Sequence, residues 1–270
     1  MQTLTVIVAD THTNSRAGLV KPGAEYEGGA VQLSRGQRWL WSCWLDFCER
    51  VQSHKLPTLI HFNGDIGELD YKMRTASVYS RNPAMVQRLA LETIDPLAEL
   101  ADWLVFERGT PAHSGQDSWI EEALGRNYDH TQKSPAGDFS WMYWRGRVEG
   151  VGMDIRHHGR VGRLPHTRAN PLGQIAIKTH LADPRVDLAI RSHVHKFADS
   201  YDNYPVRVIN TGAWQLMTAY GSRVSEEPSD IGGVLIFCDG GKYEVEKVEY
   251  KPRKERLWTI PIPKATARKT

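Results

Sequence analysis

The chain has 270 residues, and 34 Lys and Arg against 32 Asp and Glu leave a formal charge of +2. Apolar and aromatic residues make up 40% and glycine adds 23 residues, a balance that excludes disordered, collagen-like and coiled-coil classes. A compact chain of this size buries about three quarters of its unfolded surface, so it needs no disulfide or metal merely to fold. No apolar run approaches the ~18 residues that cross a bilayer, so no membrane partner is expected. The start, MQTLTVIVADTH, lacks a basic leader region and reads as a first strand, not a signal peptide. Three cysteines, Cys43, Cys48 and Cys238, without CxxC spacing, point to a reducing, cytoplasmic setting.

In chain order, Leu4 to Ala9 is a buried-strand pattern that ends in Asp10-Thr11-His12. Residues 13–33 read as a long loop. Leu40, Trp44, Phe47, Cys48 and Val51 share one face of a helix, which makes Cys43 and Cys48 small core residues. Pro57 to Phe62 is a second strand, ending in Asn63-Gly64-Asp65. Pro83 to Leu100 is a helix with proline in its first turn. Trp103 to Phe106 is a third strand, ending in Arg108-Gly109-Thr110, and Ser118 to Leu124 a short helix. Phe139 to Ile155 alternates as a hairpin with Arg145-Gly146 near its turn, leading to His157. Asn170 to Leu181 is helical, Val186 to Ile190 is a strand ending in Ser192-His193-Val194-His195, and the rest is β. These elements predict an α/β metal-binding domain over residues 1–250, followed by a basic, proline-containing tail over 251–270 with seven Lys or Arg against one Glu.

Separate strand ends therefore carry Asp or His: Asp10 and His12, Asp65, His113 after a short loop, His157 and His158, and His193 and His195. In open α/β sheets the carboxyl ends of strands converge on one edge. Alternate residues of a strand point the same way, so Asp10 with His12, and His193 with His195, can each grip an ion. Oxygen and imidazole donors without thiolate suit Mn, Fe, Zn or a mixed pair.

In order along residues 10–195, Asp10-Thr11-His12, Gly64-Asp65-Ile66-Gly67-Glu68, Gly109-Thr110-Pro111-Ala112-His113, His157-His158-Gly159 and Ser192-His193-Val194-His195 resemble the motifs D-x-H, GD-x-x-[DE], GNH-[DE], HH and GH-x-H of the calcineurin-like metallophosphoesterases. The resemblance implies a four-layer αββα sandwich of two mixed β-sheets flanked by helices. It implies two divalent metal ions, Mn2+ first and Fe, Zn or a mixed pair as alternatives. Asp10, His12, Asp65 and His195 would hold one ion, and Asp65 would bridge to a second held by His157 and His193. Glu68 falls at a supporting position, and His113 beside the scissile phosphate. The family asparagine has no counterpart here, so Thr110 or a backbone oxygen must substitute and the second ion is expected to bind more weakly. Either His157 or His158 can fill the fourth motif; the pattern favours the first, with His158 supporting it or facing substrate.

The implied activity is hydrolysis of a phosphate ester by in-line attack of a dimetal-bound hydroxide, with Asp65 and His113 as the catalytic residues. Residues 156–168 contain Arg156, Arg160, Arg163 and Arg168 and no acid. With Arg108 they suggest a cationic wall: Arg108, His158 and Arg160 are candidate substrate contacts, and a nucleotide or nucleic-acid phosphodiester is the favoured substrate. The alternatives are a phosphomonoesterase acting on phosphoprotein or a small metabolite, and a binding module that keeps the fold and has lost catalysis.

Overall fold

β1 (Thr3–Val8) is buried along its whole length because both of its faces are covered. Leu4, Val6 and Val8 alternate with Ile7, and the two sets enter different cores. The computed structural model describes residues 2–26, 28–70, 77–218, 221–224 and 227–252. After β1 the chain forms the two-residue strands β2 (Glu25–Tyr26) and β3 (Gly29–Ala30), α1 (Arg35–Ser53), β4 (Thr58–Asn63), α2 (Pro83–Ala98), β5 (Trp103–Glu107), α3 (Pro111–Ser114) and α4 (Trp119–Gly125). It continues through β6 (Trp144–Val148), β7 (Val151–His158), α5 (Asn170–Ala182), β8 (Leu188–Ser192), β9 (Ala198–Asp199), β10 (Arg207–Asn210), α6 (Gly221–Val224), β11 (Ile231–Asp239) and β12 (Lys242–Tyr250).

One sheet has the order β12-β11-β1-β4-β5, with β1, β4 and β5 parallel. The other has the order β6-β7-β8-β10-β9, with β7, β8 and β10 parallel and antiparallel strands at its edges. Both sheets are mixed, as expected, and each has five strands. Ile7, Leu59, Val105, Val234 and Ile236 of the first sheet pack against Met153, Ile155, Leu188, Ile190 and Ile209 of the second. The opposite face of the first sheet (Val6, Ile60, Phe62, Phe106) meets Trp44 and Phe47 of α1, Val86 and Ile94 of α2 and Leu124 of α4. Ala189 and Val208 on the far side of the second sheet meet Leu172 and Ala176 of α5. The layers thus run α, β, β, α.

Two caps explain where helices begin. Ser34 and Gln37 form a reciprocal capping box at α1, and Asn82 caps α2 just before Pro83. Cys43 and Cys48 pack in the helix-side core, as expected. The loop over 13–33 holds the β2–β3 ladder and buries Val20, Ala24 and Val31.

One expectation is corrected. The hairpin turns at Glu149 and Gly150, both with positive φ, and Arg145 and Gly146 lie inside β6. Gly146 marks a close approach and not a turn, because a Cβ there would come within 2.5 Å of the Trp144 ring. The basic tail beyond Pro252 lies outside the described residues.

Ile190 is fully buried between the sheets, whereas Ile177 of α5 is 50% exposed. Ile190→Ala is expected to cost about 2–5 kcal/mol in chemical denaturation, and Ile177→Ala to stay within about 0.5 kcal/mol. Equal losses would contradict the layer assignment.

Candidate metal centre

β1, β4 and β5 end level, with Val8 opposite Phe62 and Phe62 opposite Phe106, so the loops that follow them emerge side by side. Those loops are laced by backbone bonds: the Asp10 N–H donates to the Gly64 carbonyl at 3.0 Å, and the His12 N–H to the Asp65 carbonyl at 3.0 Å. Asp10, His12, Asp65, His193 and His195 all have positive φ, at 55°, 43°, 54°, 75° and 54°. They lie beyond the strands, so left-handed turns aim their side chains and strand alternation does not. His193 and His195 consequently divide between two clusters and do not grip together.

The first cluster joins Asp10, Asp65, His157 and His193, and the second joins Asp10, His12 and His195; within each, the donor atoms lie within 4.8 Å of one another. A third group is His12, Glu68 and His113. Asp10 is common to the first two. Asp65 belongs to the first, where its Oδ2 is 3.0 Å from His157 Nε2 and 3.8 Å from His193 Nδ1.

Neighbouring groups point the donor atoms inward. His157 Nδ1–H donates to the Asn63 carbonyl at 2.6 Å, which leaves Nε2 facing the carboxylates. His12 Nδ1–H donates to Glu68 Oε2 at 3.1 Å, and its Nε2 lies 3.3 Å from His195 Nε2. The His193 backbone N–H takes Asp10 Oδ2 at 3.1 Å, leaving Oδ1 turned toward the imidazoles. Asp65 Oδ1 accepts from the Thr110 amide at 2.6 Å, the Thr110 hydroxyl at 3.0 Å and the Ser114 hydroxyl at 3.3 Å.

Asp10 Oδ1 and His157 Nε2 are buried and make no hydrogen bond. Oδ1 nevertheless has His195 Nε2 at 3.3 Å, His12 Nε2 at 3.8 Å and His157 Nε2 at 4.0 Å. Buried polar atoms are ordinarily satisfied. Lone pairs converging on a space without a hydrogen-bond donor fit a cation, and an oxygen–imidazole set fits Mn, Fe or Zn.

The protonation pattern agrees. Burial pushes His157 down, but Asp65 and Asp10 more than reverse this and raise it to about 10. Burial alone would lift the Asp65 carboxyl, yet His157 and the neighbouring histidines hold it well below the usual carboxylate range. His113 donates Nδ1–H to Glu68 Oε2 at 2.7 Å; despite burial, that bond and the nearby carboxylates raise it to about 9. In a protein without metal, a proton on His157 supplies positive charge beside these carboxylates.

Two glycines allow the close approach. A Cβ on Gly109 would lie 2.3 Å from the Asp65 amide and 2.4 Å from its Oδ1; one on Gly64, which has φ 80°, would lie 2.5 Å from His157 Nδ1.

No family profile matches the chain, and no curated protein matches it. Among solved structures, a purple acid phosphatase from yellow lupin (Lupinus luteus) seeds superimposes with TM-score 0.50 and 11% identity. The match covers 92% of this chain and 52% of that one, so this chain spans about half of its length. The fold is that of the calcineurin-like metallophosphoesterases. Two further solved structures align with this chain: a dimetal phosphatase from Danio rerio (TM-score 0.48, 9% identity, 90% of this chain and 95% of that one covered) and Vps29 from Chaetomium thermophilum (0.48, 11%, 92% and 98%).

On this fold, a cavity of about 850 Å³ opens beside the His157 end of the centre, lined by Arg108, His158 and Arg160 among others. His158 is exposed, its ring 5.4 Å from that of His157 and 5.1 Å from that of His193. Arg108 reaches the cavity but is tied to Asp138 at 2.9 Å and Ser140 at 3.1 Å. The basic run divides: Arg156 and Arg160 line the cavity, whereas Arg168 pairs with Glu227 and with Asp230 at 3.9 Å. His113 stands at the other end, its ring 4.6 Å from that of His12.

Ser114 and Glu121 escaped the sequence reading, because they act from behind the motifs with no local signal to mark them; Asn63 was read only as the polar end of a strand. Glu121 is buried and accepts from Ser114 at 2.7 Å and from the Ile66 amide at 3.2 Å, with Oε2 unpartnered.

Two expectations follow. Gly109→Ala should crowd Asp65 and lower the metal retained per chain after manganese loading and dialysis; unchanged metal content would contradict the crowding. Burial lifts the Glu121 carboxyl from 4.5 to about 7. The folded state therefore holds this proton more tightly than the unfolded chain, and the associated stability is lost as pH rises from 4.5 to about 7. Glu121→Gln should thus gain in melting temperature relative to the parent across that window, measured on metal-free protein; a pH-independent difference would refute the assignment.

Proposed function

We propose that this protein is a metal-dependent phosphoesterase whose centre takes two divalent cations. The observation that carries the reading is the unpartnered Asp10 Oδ1, buried and surrounded by three imidazole nitrogens. Asp10, His12 and His195 would hold one ion, and Asp65, His157 and His193 the other, with a carboxylate between them limiting the repulsion of like charges. When bound, such ions activate water for in-line attack and neutralise phosphoryl oxygens.

The chain's own residues do the rest. Glu68 holds His12 and His113 through one carboxylate oxygen, so the two rings keep a fixed relation. With Nδ1 of His113 engaged by Glu68, its other ring nitrogen is the one available to a leaving oxygen. The ring is 36% exposed, as proton exchange with solvent requires. His158 and Arg160 line the cavity and would contact the ester from that side. Thr110 stands where the family has asparagine and directs its amide and hydroxyl at Asp65, so it supports that carboxylate more than it supplies a ligand of its own. That departure favours a second reading, a binding module with impaired catalysis.

Metal analysis combined with turnover of p-nitrophenyl phosphate and bis(p-nitrophenyl) phosphate, with and without chelator, separates the readings. Chelator-sensitive hydrolysis of either ester supports the phosphoesterase, and none with metal bound supports the module. Asp10→Asn is expected to lower the bound metal and bring hydrolysis to background. His113→Ala should keep its metal and lose about 10²-fold or more in kcat, the scale of a general acid; loss of metal instead would make His113 a ligand.

A further inference from the structure

The cavity beside the metal centre has a charge pattern of its own. Asp154 is fully buried, and three arginines that line the cavity converge on its carboxylate. Arg145 donates from Nε at 3.0 Å and Nη2 at 2.6 Å to Oδ2. Arg156 donates from Nε at 2.8 Å to Oδ1 and from Nη2 at 2.8 Å to Oδ2, and Arg191 from Nη2 at 2.7 Å to Oδ1. One carboxylate against three guanidinium groups leaves two positive charges uncompensated at that point.

The three arginines are not equivalent. Arg191 is 5% exposed and spends its Nη1 on the carbonyls of Asp154 and Ile190, so its work is structural. The side chains of Arg145 and Arg156 are 29% and 40% exposed. Among the described residues, neither Nη1 makes a hydrogen bond, and Arg145 Nη1 has only Asp183 at 3.9 Å. Arg156 is further held 4.6 Å over the Tyr143 ring. Tied from behind and open in front, these groups lose little side-chain freedom on meeting an anion. A solvated basic surface would show untethered side chains instead.

Their position relative to the metal centre is set by one strand. Arg156, His157 and His158 all line the cavity, although consecutive residues of a regular strand face opposite ways. The irregularity in β7 pairing between Ile155 and His158 lifts that alternation, so a metal-ligand candidate and a cation adjoin along the same wall. Arg160 and Lys178, exposed and making no ion pair with a described residue, extend the wall, and Asp117 is the one carboxylate among its lining residues.

We propose that Arg145 and Arg156 form a second anion subsite, so that the ester taken at the metal centre carries a further phosphate group. This rests on the phosphoesterase reading and narrows its substrate to a small, multiply phosphorylated ester. Guanidinium edges match phosphate oxygens, and two excess positive charges match a phosphate dianion.

The test is made on the full chain with metal chelated, so it does not depend on turnover. Inorganic triphosphate is titrated calorimetrically at neutral pH and low salt against the parent, Arg145→Gln, Arg156→Gln and Lys178→Gln. The expected result is saturable binding, tighter than that of orthophosphate, weakened roughly tenfold or more by each arginine change and less by the lysine change. Melting curves establish that the variants fold, and Lys178→Gln, altering an unpaired exposed side chain, keeps the comparison readable if an arginine variant does not. No triphosphate binding, equal binding in all variants, or binding of a single-stranded oligonucleotide without triphosphate binding would overturn the subsite. Triphosphate binding without any metal-dependent hydrolysis would retain the subsite and overturn the phosphoesterase. Hydrolysis of a simple ester without triphosphate binding would do the reverse.

Discussion

Two carboxylates buried in one pocket, Asp10 at 0% and Asp65 at 1% exposure, are the constraint around which the rest is arranged. Among the described residues no lysine or arginine reaches either; only imidazoles and N–H or O–H donors do. A buried charge without compensation costs several kcal/mol. Fixed guanidinium groups would remove that cost permanently and leave nothing for a ligand to gain. An imidazole removes it reversibly: His157, pushed down by burial but raised to about 10 by Asp65 and Asp10, carries the charge and, on losing its proton, offers the same nitrogen to a cation. The chemistry of the centre thus follows from which positive partners were placed nearby and which were kept away.

Keeping two carboxylates and four imidazoles in register requires backbone that strands cannot supply. Left-handed turns at Asp10, His12, Asp65, His193 and His195 each carry conformational strain of about 1–2 kcal/mol, offset by the lacing between the β1 and β4 loops. Asn63 then ties the two sheets together at the site. Its carbonyl orients His157 of β7, and its amide donates to the Arg156 carbonyl at 3.2 Å and to Ser192 at 2.7 Å on β8. Ser192 in turn meets Thr211 at 2.9 Å, so this serine is a working part of the clasp.

Much of this was legible in the amino-acid order, for a physical reason. Apolar runs such as Leu4–Ala9 and Pro57–Phe62 stop abruptly in Asp, Asn or His, and a polar group directly after a buried strand is costly unless used. The layers were expected too, from the family resemblance that the motifs carry. What resisted was whatever depends on turning. Strand alternation predicted that His193 and His195 act together; positive φ separates them into different clusters. The hairpin turn was placed at Gly146, where glycine serves the Trp144 ring, and not at Gly150. The basic run looked uniform, yet Arg168 is neutralised by Glu227 and Asp230 while Arg156 faces the cavity, because acids far along the chain decide which cations are spent.

That distinction between spent and unspent charge also governs how the two halves of the site relate. Imidazoles and N–H or O–H donors alone balance the carboxylate side of the centre, whereas the arginine side, one residue away along β7, stays positive in every state. Charges this close, partly shielded from water, interact far more strongly than they would in bulk solvent. Under the proposed function, the positive charge at the carboxylates must therefore increase before a phosphate ester lies across both. The cavity needs no such change, because Asp154 neutralises one guanidinium and cannot neutralise three. Under the proposed function, cations at the centre would extend the positive wall into it, so filling the centre would come before an ester binds across both halves.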